Sequence, residues 1–125
     1  MRICNQLIFG KIENALGGAA TYISLTASYF TKPVQLIGVV GDDFPEEGLQ
    51  NLKSHGANTD GIQIKKGEKT FFWSGRYHND MNSRDTLATE LNVLADFNPI
   101  VPENFKDADV VMLGNLHPIV QTGVL

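Results

Sequence analysis

The sequence predicts an α/β fold whose core is interrupted by a small β-sheet. Two short runs, at residues 34–40 and 109–113, have the nearly continuous apolar character that is typical of buried strands in a parallel sheet. Between them lie strand-like segments that are separated by turns, as in an antiparallel sheet. We therefore expect a core formed by residues 1–61 and 95–125, with an inserted sheet at about 62–94. A core with so few strands would leave one sheet edge unpaired.

The first core element is a helix predicted over residues 19–30. Its apolar side chains form one wide face, because one stripe at helical spacing lies directly beside another. The first stripe contains Ile23, Ala27 and Phe30, and the second contains Tyr22, Leu25 and Tyr29. A face of this width predicts a helix that is buried on most sides. Lys32 and Pro33 mark its end.

A strand, a turn and a second helix follow. The strand covers residues 34–40, and the turn contains Gly41, Asp42 and Asp43. Asp43 is predicted to cap a helix over about residues 45–54, because aspartate is among the preferred N-cap residues. The helix has an acidic first turn, a buried side and a glycine stop, provided by Glu46, Glu47, Leu49, Leu52 and Gly56.

The inserted sheet is predicted to have strands at residues 62–64, 70–77 and 86–94, joined by a turn at 66–68 and a polar loop at 78–85. Alternation along the aromatic strand places Phe71, Trp73 and Gly75 on one face and Phe72, Ser74 and Arg76 on the other. This aromatic face fits a ligand-binding surface and a hydrophobic strand of a small sheet equally well. After the return to the core, a helix is predicted to begin within residues 118–125.

Composition and charge exclude several classes of protein. The 125 residues carry a formal net charge of −4 without a block of like charge, which argues against a nucleic-acid or membrane partner. Cys4 is the only cysteine, so neither an intrachain disulfide nor a cysteine-rich zinc site can form. Residues 1–9 are too short and too polar for a signal peptide, and no run reaches the ~20 apolar residues of a membrane span. We therefore expect a cytoplasmic protein.

Two glycine-containing turns are candidates for ligand binding. Gly17 and Gly18 precede a helix, where the backbone can approach a ligand and free N–H groups favour oxyanions or hydroxyl oxygens. They also fit a tight turn into a core helix. Gly41, Asp42 and Asp43 follow a strand at its C-terminal end, where open α/β sheets bind ligands. The alternative is that one aspartate caps the next helix and the other shapes the turn.

Other chemistry finds little support in the sequence. The GxGxxG motif does not occur, which argues against a dinucleotide-binding oxidoreductase. The GxxxxGK[ST] motif does not occur either, which argues against a P-loop nucleotide site. His55, His78 and His117 lack the spacing of metal ligands, so solvated or structural roles are expected for them. No Ser/His/Asp or Cys/His set can be assembled.

Four short strings occur in a characteristic order: Gly17–Ala20, Leu36–Asp43, Gly56–Ile62 and Asp109–Asn115. From about Gly10 to its last residue, the chain resembles the PfkB, or ribokinase-like, family of sugar and nucleoside kinases. The resemblance implies a partial Rossmann-type three-layer core, with the inserted sheet as a lid. It also implies an incomplete kinase domain. The family's C-terminal ATP-binding half, with the Gly-Ala-Gly-Asp string that supplies an anion hole and the catalytic aspartate, does not occur in these 125 residues.

The resemblance further implies which residues contact the substrate, a sugar or nucleoside. They belong to the helix start, the turn after the first core strand, the lid and the end of the last strand: Gly17, Gly18, Ala19, Tyr22, Gly41, Asp42, Asp43, Phe71, Trp73 and Asn115. The family usually has asparagine at the position of Tyr22. An aromatic ring can stack on a sugar or base, yet it cannot replace the hydrogen bonds of an amide. No catalytic or metal-binding residue is implied within the chain.

Two functions remain open at this point. The first is ATP-dependent phosphorylation of a sugar or nucleoside hydroxyl, with this chain as the substrate-binding portion of the kinase. ATP and Mg²⁺ serve the full-length family, and neither is expected to bind this chain alone. The alternative is a non-catalytic module that binds a sugar or forms a homodimer through the lid.

Overall fold

The computed structural model describes residues 1–7 and 10–125, and their strands form two sheets. In chain order the strands are β1 (Arg2–Leu7), β2 (Gly10–Leu16), β3 (Val34–Gly41), β4 (Ala57–Lys65), β5 (Phe72–Tyr77) and β6 (Arg84–Glu90). The helices are α1 (Ala19–Ala27), α2 (Glu46–Ser54) and α3 (Pro118–Thr122), with short 3₁₀ turns at Asn92–Leu94 and Glu103–Phe105. One sheet has the order β2-β1-β5-β6, and the other pairs β3 with β4 in parallel. The predicted α/β class is confirmed. None of the helices described is long and apolar enough to cross a membrane.

The β3–α2–β4 unit contains the strand and the helix that the local sequence predicts, β3 and α2, followed by a second strand, β4. Its strands pair in parallel, from Val34 opposite Ala57 to Gly41 opposite Lys65. Helices α1 and α2 cover one face of this pair, and a buried cluster forms beneath them. The cluster contains Leu36, Leu52 and Ala57, with Leu25 and Ile62 packed against it. Full burial of a leucine contributes about 1.5–3 kcal/mol, so the two buried leucines are a main source of stability for this unit.

Helix α2 begins at Glu46 with Pro45 as its N-cap, so the predicted cap by Asp43 is wrong. Pro45 has an extended backbone that leads into the helix, with φ −61° and ψ 127°. The carboxylate of Asp43 accepts the N–H of Thr70 at 2.7 Å, which engages it away from the helix start. The predicted stop at Gly56 is confirmed, because its φ of +92° lies in the region that glycine favours after a helix.

An irregular segment around Asn98 and Asn104 covers the other face of the β3–β4 sheet. Phe105 is buried there, and a Cβ atom placed on Gly61 would lie 2.9 Å from its ring. Gly61 precedes Ile62 and therefore faces away from the helices, because residues alternate between faces along a strand. Strand glutamines hold the segment with side-chain amides that donate to its carbonyl groups: Gln35 to Asn104 at 3.0 Å and Gln63 to Asn98 at 2.9 Å. Helices, sheet and irregular segment thus form three layers.

Helix α1 buries its polar side, contrary to the prediction. The buried residues are Thr21, Ser24 and Ser28. Their hydroxyl groups donate to carbonyl groups one turn earlier at 2.7–3.1 Å, so burial leaves no hydroxyl unsatisfied. Small side chains on this side let the helix pack closely against β3. Tyr29 and Phe30, which were predicted to be buried, are 79% and 86% exposed, and the helix ends at Ala27.

The hairpin of β1 and β2 is not predicted by any sequence pattern. It forms half of the four-stranded sheet, because β1 pairs antiparallel with β2 and parallel with β5. The second pairing places Arg2 opposite Phe72 and Gln6 opposite Arg76. Strands β1 and β2 therefore share a sheet with β5 and β6, whereas the inserted sheet was predicted to consist of residues at about 62–94 alone.

The strands predicted within residues 62–94 differ in position. Residues 62–64 belong to the end of β4, because the parallel pairing with β3 continues as far as Lys65. The aromatic strand begins at Phe72 and leaves Phe71 outside. The last strand ends at Glu90, and Asn92 starts a 3₁₀ turn. Because Asn92 has a φ of +49°, which lies outside the range of β-strands, the strand cannot continue through it.

Residues 109–113 form an exposed irregular segment, so the predicted buried strand is wrong. Val110 and Met112 are 84% and 70% exposed. Within the described part of the chain, no strand pairs with this segment. An apolar run without a neighbour cannot satisfy its backbone groups as a strand. Helix α3 forms at Pro118–Thr122, where a helix was predicted.

Candidate functional site

The start of α1 is built on two glycines. Gly17 is buried, and its N–H donates to the carbonyl of Met1 at 3.1 Å. Gly18 is the N-cap and has a φ of +102°, a conformation that glycine adopts without strain. A Cβ atom on Gly18 would also lie 3.0 Å from the Cβ of Met1. An N-cap side chain usually accepts a hydrogen bond from an N–H group of the first helical turn. Because Gly18 has no side chain, these N–H groups can donate to other acceptors.

The segment that contains Asn115 packs against the same helical turn. A Cβ atom on Gly114 would lie 3.4 Å from the Cβ of Ala19 and 3.2 Å from the Cδ1 of Ile23. Asn115 and Ala19 are exposed, and Tyr22 is 59% exposed. Half of the predicted substrate contacts therefore lie in one neighbourhood, which we call the helix-start group: Gly17, Gly18, Ala19, Tyr22 and Asn115.

Gly41, Asp42 and Asp43 form a second group at the C-terminal end of β3. The N–H of Gly41 donates to Thr70 Oγ1 at 3.0 Å. Asp42 Oδ2 accepts the N–H of Gly67 at 2.8 Å, and Asp43 Oδ1 accepts the N–H of Thr70 at 2.7 Å. Both carboxylates therefore stabilise the main chain between β4 and β5. The turn-shaping role expected for one aspartate is seen for both.

Thr70 and Asn92 complete this second group, although no sequence pattern predicts a role for them. Thr70 is 0% exposed, and its carbonyl accepts the side-chain amide of Asn92 at 3.0 Å. Asn92 has a left-handed backbone, which asparagine tolerates better than most residues. The only signal in the sequence is a lone threonine before the aromatic strand and a lone asparagine after the last strand. Neither is part of a periodic pattern or a known motif.

The side chain of Trp73 packs within the four-stranded sheet. Its ring covers Gly75, where a Cβ atom would overlap it, so the predicted common face of these two residues is confirmed. The indole N–H donates to Thr86 Oγ1 at 3.4 Å, and the guanidinium carbon of Arg84 lies 5.7 Å from the ring centre. Phe71 is half-buried just before β5. The environment of Trp73 therefore reports on the β5–β6 pair.

Two clefts lie among the described residues, and neither of them unites these groups. One cleft of about 380 Å³ lies beside α2, and its lining includes Gly41, Asp42, Leu49, Lys53 and Ile64. A second cleft of about 580 Å³ lies between β2 and α2 and contains none of the predicted site residues. Among the residues that the structure describes, no three His, Cys, Asp or Glu side chains are close enough together to hold a metal ion.

The three histidines have structural partners, as expected. The contacts are His55 Nδ1 to the carbonyl of Asn51 at 2.8 Å, His78 Nε2 to Asp85 Oδ2 at 3.1 Å, and the N–H of Ile119 to His117 Nδ1 at 3.3 Å. The last of these caps α3. None of these contacts involves a predicted site residue.

A family model described as pfkB family carbohydrate kinase matches residues 5–123. The chain belongs to this family. The predicted family is thereby confirmed. Among relatives of this pfkB family member, the cytidine kinase of Thermococcus kodakarensis is 34% identical over 124 residues, which covers 97% of this chain and 43% of that protein.

Solved structures share the fold of this pfkB family member. A ribokinase from Cryptococcus neoformans var. grubii serotype A in complex with ADP has a TM-score of 0.60 at 19% identity, with 85% of this chain and 35% of that chain covered. A nucleoside kinase from Burkholderia thailandensis in complex with inosine has a TM-score of 0.59 at 12% identity, with 73% and 33% covered. At these identities the likeness shows a ribokinase-like fold. The chain spans less than half the length of each of these three relatives.

Proposed function

We propose that this chain carries the substrate-binding part of a kinase that transfers the γ-phosphoryl group of ATP to a hydroxyl of a nucleoside or sugar. The observation that carries the proposal is the helix-start group, where a glycine N-cap, an exposed aromatic ring and an exposed carboxamide lie together in a pfkB family member. Of the two substrate classes we favour a nucleoside, because the cytidine kinase aligns with 97% of the chain.

The helix-start group offers complementary contacts for such a substrate. The uncapped N–H groups after Gly18 can donate to hydroxyl oxygens of a ribose. The ring of Tyr22 can stack on a base or sugar, and its apolar faces gain by being covered. Asn115 can both donate and accept through its amide, which suits a hydroxyl group.

We assign the four-stranded sheet to the lid of the kinase. Its strand order gives a lid made of strands β1, β2, β5 and β6, while Ala57–Lys65 stays with β3 in the core. Trp73 of the lid and Phe71, which directly precedes β5, are proposed to face the substrate. Closing a lid excludes water from the site, which protects ATP from hydrolysis during phosphoryl transfer.

ATP and Mg²⁺ are assigned to parts of the kinase other than residues 1–125. Phosphoryl transfer needs positioned phosphates, Mg²⁺ and a base near the acceptor hydroxyl. The chain contains neither the family's Gly-Ala-Gly-Asp string nor a GxxxxGK[ST] string. The carboxylates of Asp42 and Asp43 already accept backbone N–H groups, so we assign them to the shape of the turn. We expect no formation of ADP when the chain is incubated with ATP, Mg²⁺ and a panel of sugars and nucleosides.

Calorimetric titration of the chain tests substrate binding directly. Cytidine, uridine, inosine, ribose and fructose are compared, with 2′,3′-dideoxycytidine as the analogue that lacks the ribose hydroxyls. We expect cytidine to bind with a Kd between about 1 μM and 1 mM and the dideoxy analogue to bind at least about tenfold more weakly. No heat with any nucleoside or sugar at about 10 mM would overturn the proposal.

A pair of tyrosine variants locates the site. Tyr22→Ala should weaken cytidine binding, while Tyr22→Phe should keep it because the ring remains. Tyr29→Ala is the matched control, since Tyr29 is also an exposed tyrosine and lies two residues after the end of α1. Equal losses in Tyr22→Ala and Tyr29→Ala would move the binding site away from the helix-start group.

A second function, dimerisation through the lid, is favoured by the free edge of β6. Among the described strands β6 pairs only with β5, and Leu87 on it is 53% exposed. An exposed apolar edge strand is a template for pairing with a second copy. Light scattering should then show a dimer that Leu87→Lys converts to monomer. A parent protein that stays monomeric at high concentration would exclude this function.

A further inference from the structure

The main chain crosses from one sheet to the other at two places near one buried residue, Thr70. It leaves the β3–β4 sheet after Lys65 and enters the four-stranded sheet at Phe72. It leaves that sheet again after Glu90. These two crossings are hydrogen-bonded to each other, since the N–H of Val93 donates to the carbonyl of Lys69 at 3.1 Å.

Thr70 lies where the two crossings meet the end of β3. Its hydroxyl oxygen accepts the N–H of Gly41, its own N–H donates to Asp43, and its carbonyl accepts the amide of Asn92, at 3.0, 2.7 and 3.0 Å. Each polar group of Thr70 thus binds a different residue. Gly41 lies at the end of β3 and Asp43 in the turn after it, and Asn92 lies in the second crossing, after β6. Thr70 is 0% exposed, so water cannot replace these bonds. We call Gly41, Asp43, Thr70 and Asn92 the Thr70 junction.

The residue types in the junction match its geometry. A Cβ atom on Gly41 would lie 2.7 Å from the backbone nitrogen of Thr70, so only glycine lets the crossing pass this close. Asn92 combines a left-handed backbone with a side-chain donor, two properties that few residues share. Asp42 adds a further bond to the same crossing through the N–H of Gly67.

We propose that Thr70 is a positioning residue, which fixes the orientation of the four-stranded sheet relative to the C-terminal end of β3. The consequence for substrate binding rests on the proposed function, in which that sheet is the lid. Removal of the hydroxyl leaves the buried N–H of Gly41 without an acceptor, and a buried unsatisfied donor is costly. The crossing then moves away from β3, and the sheet that it carries gains freedom to rotate.

Pulsed electron spin resonance measures this orientation without any ligand. Spin labels are attached at Lys53→Cys on α2 and Thr89→Cys on β6, both exposed, in a Cys4→Ser background. We expect Thr70→Val to broaden the distance distribution between the labels and Thr70→Ser, which keeps the hydroxyl, to restore the parent distribution. A distribution in Thr70→Val as narrow as that of the parent would overturn the proposal.

A milder variant keeps the test valid if Thr70→Val does not fold. Asn92→Asp retains the tolerance for a left-handed backbone but presents a carboxylate to the carbonyl of Thr70 in place of a donor. Asn79→Asp makes the same change in the exposed loop between β5 and β6 and serves as the control. Broadening in Asn92→Asp alone supports the proposal, and equal distributions in both variants overturn it.

Cytidine titration separates this inference from the proposed function. If the parent binds cytidine, Thr70→Val should bind about tenfold more weakly, while Thr70→Ser stays within about twofold of the parent. Equal affinity in Thr70→Val would overturn the role in substrate binding and leave the proposed function intact. If the parent binds no nucleoside or sugar, the proposed function fails, and the label distances alone decide whether Thr70 positions the sheet.

Discussion

The main chain of Gly41 lies directly against the main chain of Lys69. A Cβ atom placed on Gly41 would lie 2.6 Å from the carbonyl carbon of Lys69 and would overlap the carbonyl oxygen of Glu68. Backbone atoms cannot rotate away as a side chain can, so a residue larger than glycine must displace the crossing. By contrast, a Cβ atom on Gly38 in the same strand would meet nothing within 4 Å.

Gly41→Ala should therefore destabilise the protein, and Gly38→Ala should not. Overpacking at a tight site costs about 1–3 kcal/mol, and we expect Gly41→Ala to fall in this range. Urea unfolding followed by Trp73 fluorescence measures both variants. Equal unfolding midpoints for Gly41→Ala and the parent would contradict the close approach at this position.

Gly18→Val should lower stability and abolish cytidine binding. Its φ of +102° is unfavourable for a branched residue, and its Cβ would lie 3.0 Å from that of Met1. Strain of this kind costs about 1–3 kcal/mol. The control is Gly38→Val, which adds the same side chain to a strand with open space around it. If Gly18→Val binds cytidine with the affinity of the parent and unfolds at the same temperature, the prediction is wrong and Gly18 acts only as a spacer.

Ser24→Leu should destabilise the contact between α1 and β3. Ser24 is 1% exposed, and a longer side chain there would force the helix away from the sheet at a cost of about 1–3 kcal/mol. Thr26→Leu on the exposed side of the same helix should change stability little. Thermal unfolding of the two variants gives the comparison, and similar melting temperatures would show that α1 can shift without cost.

The loop between β5 and β6 should loosen in acid. The hydroxyl of Ser83 donates to the carboxylate of Asp80 at 2.5 Å, and the N–H groups of Ser83 and Asn82 also donate to it. Led by the Ser83 hydroxyl, these bonds lower the pKa of Asp80 in the folded state. Because the folded pKa is the lower one, the stabilisation is complete above the unfolded pKa of about 3.9 and is lost as the pH falls through the folded value.

Asp80→Asn tests this pH dependence. The difference in unfolding midpoint between the parent and Asp80→Asn should be present at about pH 7 and disappear toward about pH 2. A carboxyl resonance of Asp80 that titrates below its usual range gives an independent check by NMR. A difference between parent and variant that is the same at both pH values would contradict a role for the ionised carboxylate.

Part of the candidate site could be read from the sequence and part could not. The turn at Gly41 and Asp42 was found because a strand end followed by a glycine is a local pattern. The bond from Asp43 to Thr70 joins residues 27 positions apart, and a helix cap was the only partner that local spacing could suggest. Thr70 itself has no neighbours in the sequence that reveal its burial, because its partners lie at the end of β3, in the turn after it and after β6.

The sequence by itself determined strand β3, the turn after it, helix α2 and the stop at Gly56, since an apolar run, a polar turn and an amphipathic helix are each specified within a few residues. Tertiary structure decided the rest. Strands β1 and β2 belong to the four-stranded sheet because β1 pairs with β5 across about 70 residues of chain, from Arg2 to Phe72. Helix α1 exposes its aromatic side because the small hydroxyl side chains on its other side fit against β3. Residues 109–113 carry the pattern of a buried strand but are exposed, because a strand exists only where another backbone completes its hydrogen bonds.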